Sequence, residues 1–247
     1  MAAAVKLHRQ IARRRAARFL AEGPNLVEAA LRRGLVSEVF ATESAMDRFG
    51  SMLADVPVHL VTERAAKALS DTVTPVGLVA VCTVPETTLA DVLVEPRLVA
   101  VAVGIAEPGN AGTLIRVADA MGADAVVLTG NSVDPYNGKC LRASAGSIFS
   151  VPVVSEANAE VMLTALLENG LQVFATTLDG EVSLEDADLS GPTAWVFGPE
   201  AHGLPARLAA MATHRVQIPM RGSAESLNVA SAAAICLYAS ARAHSTS

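Results

Sequence analysis

Cysteine is scarce in this sequence and occurs in no pattern that a disulfide framework or a zinc site requires. Cys82, Cys140 and Cys236 are odd in number and far apart, and none belongs to a C-x-x-C pair or to a Cys/His cluster. This spacing argues against a disulfide-stabilised secreted domain and against a cysteine-ligated metal, and it favours a reduced, cytoplasmic setting. We interpret each cysteine as a small buried hydrophobic residue.

The sequence also lacks a hydrophobic run long enough to cross a membrane. The longest run, residues 98–106, has nine residues, about half of what a bilayer-spanning helix needs, and we interpret it as a buried strand. The N-terminus has arginines but no apolar stretch after them. This pattern argues against a secretory signal and leaves a mitochondrial transit peptide as an open alternative.

Aromatic residues are few, at 4% of the chain, whereas hydrophobic residues, mostly Ala and Val, make up 51%. This balance suits layered helices and parallel strands better than an all-β sandwich, so we expect an α/β fold.

Several common cofactor and catalytic motifs are missing. No G-x-G-x-x-G follows the predicted strand that begins at Val99, which argues against a small-molecule enzyme of the Rossmann type. Gly138 and Lys139 resemble the end of a P-loop, but Val133 stands in place of its first glycine and Cys140 in place of the magnesium-binding Ser or Thr. There is also no G-x-S-x-G elbow and no H-E-x-x-H zinc motif.

Acidic residues are missing from the first twenty positions, although the chain as a whole is acidic. Residues 1–20, which we call the basic arm, contain six Lys or Arg and carry a formal charge of +6. Because the net charge of the whole chain is −6, the remaining residues carry −12. Such a block is typical of an arm that contacts RNA phosphates, and equally of a solvated helix with no partner. Charge alone leaves both interpretations open.

Alternating β-like and helical runs predict two α/β units. In the first unit, residues 1–84, we expect helices over 19–34, 44–53 and 63–69 and strands over 36–41, 56–61 and 77–84. Residues 85–97 form a predicted linker, because prolines bracket this stretch and its periodicity is weak.

The second unit, residues 98–247, is predicted to contain a parallel sheet. We expect strands over 99–105, 125–129, 172–176, 194–198 and 215–218, with helices centred on 115, 143, 163 and 208 and a last helix over 227–243. Several strands are apolar on both faces, as in a parallel sheet covered by helices on both sides. Ligands of such sheets bind beyond the carboxyl ends of the strands. The loops 107–116, 198–204 and 218–230 are therefore candidate site loops.

These three loops share a chemistry that suits a cofactor recognised by main-chain groups. Gly and Pro shape the backbone so that its N–H and C=O groups can face a ligand. Taken singly, each loop is also an ordinary turn or helix cap. The polar side chains that they carry are Asn110, Arg116, Glu200, Ser226 and Asn228.

Together, and in this order, the loops resemble the three signature motifs of the SpoU/TrmH family of SPOUT RNA 2′-O-ribose methyltransferases. The matching positions are Asn110 and Arg116 in motif one, Gly198, Glu200 and Gly203 in motif two, and Ile218-Pro219-Met220 with Ser226-Leu227-Asn228-Val229 in motif three. Residues 139–147 are similar to the family's K-x-x-R-A-S-x-G-S segment. Residues 19–24 and 70–77 resemble the ribosomal-protein-like RNA-binding domain that precedes many members. Glu107 departs from the pattern, since many members have Asp or Asn there.

The resemblance implies an enzyme that uses S-adenosyl-methionine, without a metal, to methylate a ribose 2′-hydroxyl in structured RNA, with ribosomal RNA favoured over transfer RNA. It also implies a deep trefoil knot in the catalytic domain and a homodimer whose active site is completed across the interface. The implied cofactor contacts are Thr176, Gly198, Ile218 and Leu227. The alternative function is a non-catalytic RNA-binding or ribosome-assembly factor that retains the fold.

In the family, the motif-one arginine favours the developing alkoxide of the ribose, and here that residue is Arg116. Because a guanidinium is effectively always protonated, we interpret Arg116 as an electrostatic and phosphate clamp and leave the proton acceptor open. The implied role of Asn110, Glu200, Ser226 and Asn228 is to orient Arg116 and the ribose. His202, inside motif two, is interpreted as a loop residue.

Overall fold

The computed structural model describes residues 1–245 and contains two sheets. The strands are β1 (Arg18–Glu22), β2 (Val36–Ala41), β3 (Val58–Leu60), β4 (Leu78–Thr83), β5 (Leu98–Val103), β6 (Ala125–Thr129), β7 (Val153–Glu156), β8 (Gln172–Thr176), β9 (Val182–Ser183), β10 (Thr193–Phe197) and β11 (His214–Gln217). The helices are α1 (Ala2–Val5), α2 (Gln10–Ala16), α3 (Pro24–Arg32), α4 (Glu43–Phe49), α5 (Glu63–Leu69), α6 (Leu89–Val92), α7 (Pro108–Ala120), α8 (Gly138–Ser144), α9 (Ala159–Glu168), α10 (Ala206–Ala209) and α11 (Val229–Ser245).

The first sheet has the strand order β1-β4-β2-β3, in which β4 pairs antiparallel with both β1 and β2. The expected helix over residues 19–34 is wrong in its first part, because residues 18–22 form β1. Phe19 and Ala21 pack into the main core, while Leu20 packs on the opposite face. A strand buried on both faces has no apolar and polar alternation to separate it from a helix. The helix begins only at Pro24 and ends before Gly34, whose φ of +66° suits a helix end, as predicted.

The second sheet has the order β7-β6-β5-β10-β8-β11-β9, and all of its strand pairs are parallel. The predicted parallel sheet is therefore confirmed. Successive residues of β5 alternate between two cores: Ala100 and Ala102 face one, and Val99 and Val101 face the other. Helices cover both faces, and this is why the central strands β5, β6 and β10 are buried along their whole length and almost entirely apolar.

Two strands of this sheet were not predicted, and both lie at its edges. β7 has four residues and ends in the polar pair Ser155 and Glu156, and β9 has only two residues. Short edge strands carry little hydrophobic pattern. The predicted linker, 85–97, contains the short helix α6, which begins with a capping box between Thr88 and Asp91.

The basic arm is folded against the first sheet. After α1, a 3-10 turn over Lys6–His8 leads into α2, and Ala4 and Leu7 are buried against Leu20 and Leu69. Within residues 1–245, no helix combines the length and apolar character that a bilayer crossing needs.

Candidate functional site

The carboxyl ends of β8, β10 and β11 enclose a cavity of about 580 Å³, a size typical of small-molecule sites. The four predicted cofactor contacts, Thr176, Gly198, Ile218 and Leu227, all line it. They come from the three loops that follow these adjacent strands, so the parallel topology brings distant segments of the chain to one place.

Gly198 occupies a position that no larger residue fits. A Cβ added there would lie 2.4 Å from the Leu204 nitrogen and 2.6 Å from the Gly203 carbonyl carbon. The loop folds back on itself, and the Gly203 N–H donates to the Pro199 carbonyl oxygen at 2.8 Å. This close turn therefore requires a residue without a side chain at Gly198, where the backbone itself lies at the cavity.

The charge of the cavity wall suits a cationic ligand. Its lining includes the carboxylates of Glu200 and Glu225 and no Lys, Arg or His. A sulfonium compound carries a positive charge, and the lining therefore fits S-adenosyl-methionine better than an anionic nucleotide such as a dinucleotide phosphate.

Glu200 connects the three loops through one oxygen atom. Its Oε1 accepts hydrogen bonds from Asn110 Nδ2 at 2.9 Å, from Asn228 Nδ2 at 2.7 Å and from the Val229 N–H at 3.1 Å. The Asn228 amide also donates to Asn110 Oδ1 at 3.0 Å. Asn228 Oδ1 accepts from the N–H groups of Ala230 and Ser231 and so caps α11. Of the five predicted catalytic residues, the structure joins these three in one network beside the cavity.

The other two predicted catalytic residues lie outside this network. Ser226 lines the cavity and is exposed. Arg116 is exposed on α7, does not line the cavity, and forms no ion pair within residues 1–245. His202, interpreted as a loop residue, lies exposed in the loop after β10.

Glu107, the departure in motif one, has a structural role that its sequence position did not reveal. Its side chain accepts a hydrogen bond from Lys139 of α8 and, at 3.5 Å, from the Gly109 N–H at the start of α7. The Lys139 hydrogen bond, and next the Gly109 N–H, lower the pKa of the Glu107 carboxyl. The longer carboxylate thus reaches both the helix end and α8.

Further residues of the cavity wall were not predicted. Thr177 and Leu178 line it, and their position directly after β8 is a signal that could have identified them. The turn 222–225 also lines the cavity; it lies inside the candidate loop 218–230, although none of its residues was predicted individually. No cluster of His, Cys, Asp or Glu within the described part of the chain has the arrangement of a metal site.

The chain matches two family models. The model of the SpoU rRNA Methylase family matches residues 97–238, and that of the MRM3-like substrate binding domain matches residues 2–80. The chain is 38% identical over 235 residues to the 23S rRNA (guanosine(2553)-2′-O)-methyltransferase RlmP of Bacillus subtilis, covering 94% of this chain and 92% of that protein.

Solved structures of similar proteins include two with the methyl donor bound. The AdoMet-bound rRNA methyltransferase from Sinorhizobium meliloti has a TM-score of 0.88 at 30% identity, covering 98% of this chain and 93% of that one. The SpoU methyltransferase AviRb from Streptomyces viridochromogenes, in complex with AdoMet, has a TM-score of 0.87 at 29% identity, covering 97% and 95%. The motif order, the cavity and these likenesses agree, and the chain belongs to the SpoU rRNA methylase family, which uses S-adenosyl-methionine.

Proposed function

We propose that this chain methylates a ribose 2′-hydroxyl of 23S ribosomal RNA. The observation that carries the proposal is the acid-lined cavity at the carboxyl ends of β8, β10 and β11, with the network of Asn110, Glu200 and Asn228 at its edge. Two of the relatives named above are rRNA methyltransferases by name, and the Bacillus subtilis protein acts on 23S rRNA. A cytoplasmic location, where ribosomal RNA and reduced cysteines are found, belongs to the same proposal.

The reaction is an in-line displacement in which the 2′-oxygen bonds to the methyl carbon as the carbon–sulfur bond breaks, and the hydroxyl proton leaves to an acceptor. Bound S-adenosyl-methionine supplies an activated methyl group, and alignment is therefore the main task of the protein. Glu200 holds the two asparagine amides in fixed positions, where we propose that they and Ser226 orient the ribose. Thr176, Gly198, Ile218 and Leu227 would hold the methyl donor.

We propose Arg116 as the guanidinium that stabilises the developing negative charge, acting in a homodimer. Since Arg116 is exposed on α7 and does not line the cavity of its own chain, a second copy would bring it to the site. Helix α11, which packs on α7, leaves Ile235 and Tyr238 40% and 58% exposed, and these side chains are candidates for the interface.

The division of labour along the chain is part of the proposal. Residues 1–84 would bind RNA, residues 85–97 would link the two units, and residues 98–247 would catalyse methyl transfer. The two separate sheets and the family matches over residues 2–80 and 97–238 support this division. We also propose the trefoil knot for the C-terminal segment, because β11 inserts between β8 and β9 and the solved relatives are similar over nearly the whole chain.

The test is methyl transfer from labelled S-adenosyl-methionine to 23S rRNA transcribed in vitro. Arg116→Ala is expected to lower kcat by roughly a hundred- to a thousandfold with unchanged calorimetric affinity for S-adenosyl-methionine. Arg97→Ala, an exposed arginine before β5 at the opposite edge of the sheet, is the control. Full activity of Arg116→Ala would remove this residue from the mechanism. A wild-type protein that binds RNA but not S-adenosyl-methionine would be the non-catalytic factor.

A further inference from the structure

A second groove, which we call the arm groove, lies between the basic arm and the carboxyl ends of β6 and β7. Its volume is about 330 Å³. Arg14 and Ala17 of the arm form one wall, and the loops after β6 and β7, including Ser132 and Ser155, form the other. The groove therefore exists only because the arm is docked on the second unit.

A buried ion pair holds the arm in this place. The Arg13 side chain is 5% exposed and contacts the Asp134 carboxylate through two nitrogens, Nη2 at 2.6 Å and Nε at 2.8 Å. Its remaining Nη1 donates to the carbonyl oxygens of Leu7 and His8 at 2.8 and 2.9 Å. Both nitrogens contact the same oxygen, Asp134 Oδ2, and together with the two bonds from Nη1 they hold the guanidinium in one position. Arg14, the next residue, is thereby held at the mouth of the groove.

The charges of the groove suit a ribose–phosphate chain. Arg13 neutralises Asp134, whereas Arg14 is exposed and has no ion pair within residues 1–245. The other carboxylate of the lining, Glu156, forms no ion pair within residues 1–245 and accepts a hydrogen bond from the Asn158 N–H, so a phosphate in the groove would lie on the Arg14 side. Serine hydroxyls and apolar side chains make up most of the remaining wall. The Arg14 guanidinium can contact a phosphate, and the serine and apolar side chains of the wall can contact the sugar and base.

The groove and the cofactor cavity lie on the same edge of the same sheet. In the order β7-β6-β5-β10-β8-β11, the groove is at β6 and β7, the motif-one loop follows β5, and the cavity begins at β10. Neighbouring strands are about 4.8 Å apart, so the end of β6 is about 10 Å from the end of β10. An RNA strand lying along this edge would cross Asn110 between the two.

We propose that the arm groove binds the RNA strand next to the methylated ribose, with Arg14 contacting a backbone phosphate. This inference rests on the proposed function, because it specifies where the RNA of that reaction lies. The basic arm would then bind RNA while docked on the fold, and not as a free tail.

The experiment compares wild type with Arg14→Gln, using unmodified 23S rRNA transcribed in vitro. Arg14→Gln is expected to bind this RNA roughly tenfold more weakly and to raise KM in proportion, with kcat and S-adenosyl-methionine affinity unchanged. In binding measured over a KCl series, the slope of log K against log salt should become shallower by about 0.7. Arg97→Gln removes the same charge at the opposite edge of the sheet and should change none of these quantities.

A second variant tests the shape of the groove without changing its charge. Ala157 is exposed and lines the groove, so Ala157→Trp should fill the groove and raise KM without changing the salt slope. The inference is overturned if wild type transfers methyl groups and Arg14→Gln has the same KM and the same salt slope as wild type. It is also overturned if Arg97→Gln weakens RNA binding as much as Arg14→Gln does. The proposed function fails separately, if wild type transfers no methyl group to 23S rRNA.

Discussion

At the scale of single residues, one oxygen of Glu200 satisfies three donors that belong to motifs one and three. Glu200→Ala would leave the Asn110 and Asn228 amides and the Val229 N–H without this acceptor, and the loops would lose their common anchor. We expect kcat/KM for RNA methylation to fall roughly a hundredfold. Glu200→Gln keeps an oxygen in place and should restore part of the activity.

The control for this prediction is Glu168→Ala, at the exposed end of α9 and away from the cavity. Its kcat/KM should equal that of wild type in the same methyl-transfer assay. An unchanged kcat/KM for Glu200→Ala would show that the three loops hold their arrangement without this carboxylate.

At the scale of elements, the sequence predicted those whose pattern is local. Strand β2 and helix α5 have the predicted bounds, because each has a clear periodicity and clear ends. Strand β1 was mistaken for helix since packing on both faces conceals its period, and the two-residue strand β9 depends on pairing with β11. The loops that line the cavity could be predicted because they follow strands, whereas the individual contact residues came from the resemblance to the family motifs.

What could not be predicted is contact between elements distant in sequence. Arg13 and Asp134 are 121 positions apart, and nothing in the composition of the arm distinguishes Arg13 from Arg14 or Arg15. Only the fold shows that Arg13 is buried and that its neighbours are exposed.

The docking of the arm can be tested through Arg13. Arg13→Ala leaves the Asp134 carboxylate, which is 12% exposed, without its partner, and loss of one member of such a largely buried pair costs up to about 3 kcal/mol. We expect the arm to detach, so that trypsin cleaves after Arg14 and Arg15 much faster than in wild type. Arg9→Ala removes an exposed arginine of the same arm and should leave the cleavage rate nearly unchanged. Equal rates for both variants would mean that the hydrophobic contacts of Ala4 and Leu7 suffice.

At the scale of the whole molecule, buried thiols make stability depend on alkaline pH. Burial raises the pKa of Cys82 and of Cys140 to about 12, and raises that of Cys236 as well, from a usual value near 9. A raised folded pKa contributes stability that is fully present below the unfolded pKa and is lost above it. The free energy of unfolding should therefore fall above pH 9, by up to about 1.4 kcal/mol per pH unit for each thiol.

Urea denaturation at pH 8 and pH 10 measures this loss. A variant with Cys82→Ala, Cys140→Ala and Cys236→Ala should be less stable at pH 8, because it loses buried sulfur atoms, but should lose less stability between the two pH values. The same loss in the variant and in wild type would assign the alkaline dependence to other groups.

The proposed dimer makes the strongest prediction about the assembled molecule. Ile218→Trp should block the cofactor cavity, and Arg116→Ala should remove the guanidinium, so each variant alone should be inactive. If Arg116 serves the cavity of the partner subunit, a mixed dimer has one site with an open cavity and an intact arginine. Half of randomly exchanged dimers are mixed and half of their sites are complete, so an equimolar mixture should recover about a quarter of wild-type activity. The control mixes Arg116→Ala with a double variant that carries both Ile218→Trp and Arg116→Ala. This mixture should recover no activity, because neither subunit supplies the arginine. If Arg116 instead acts within its own chain, both sites of the mixed dimer are defective, and the absence of any recovery after subunit exchange would rule out the shared site.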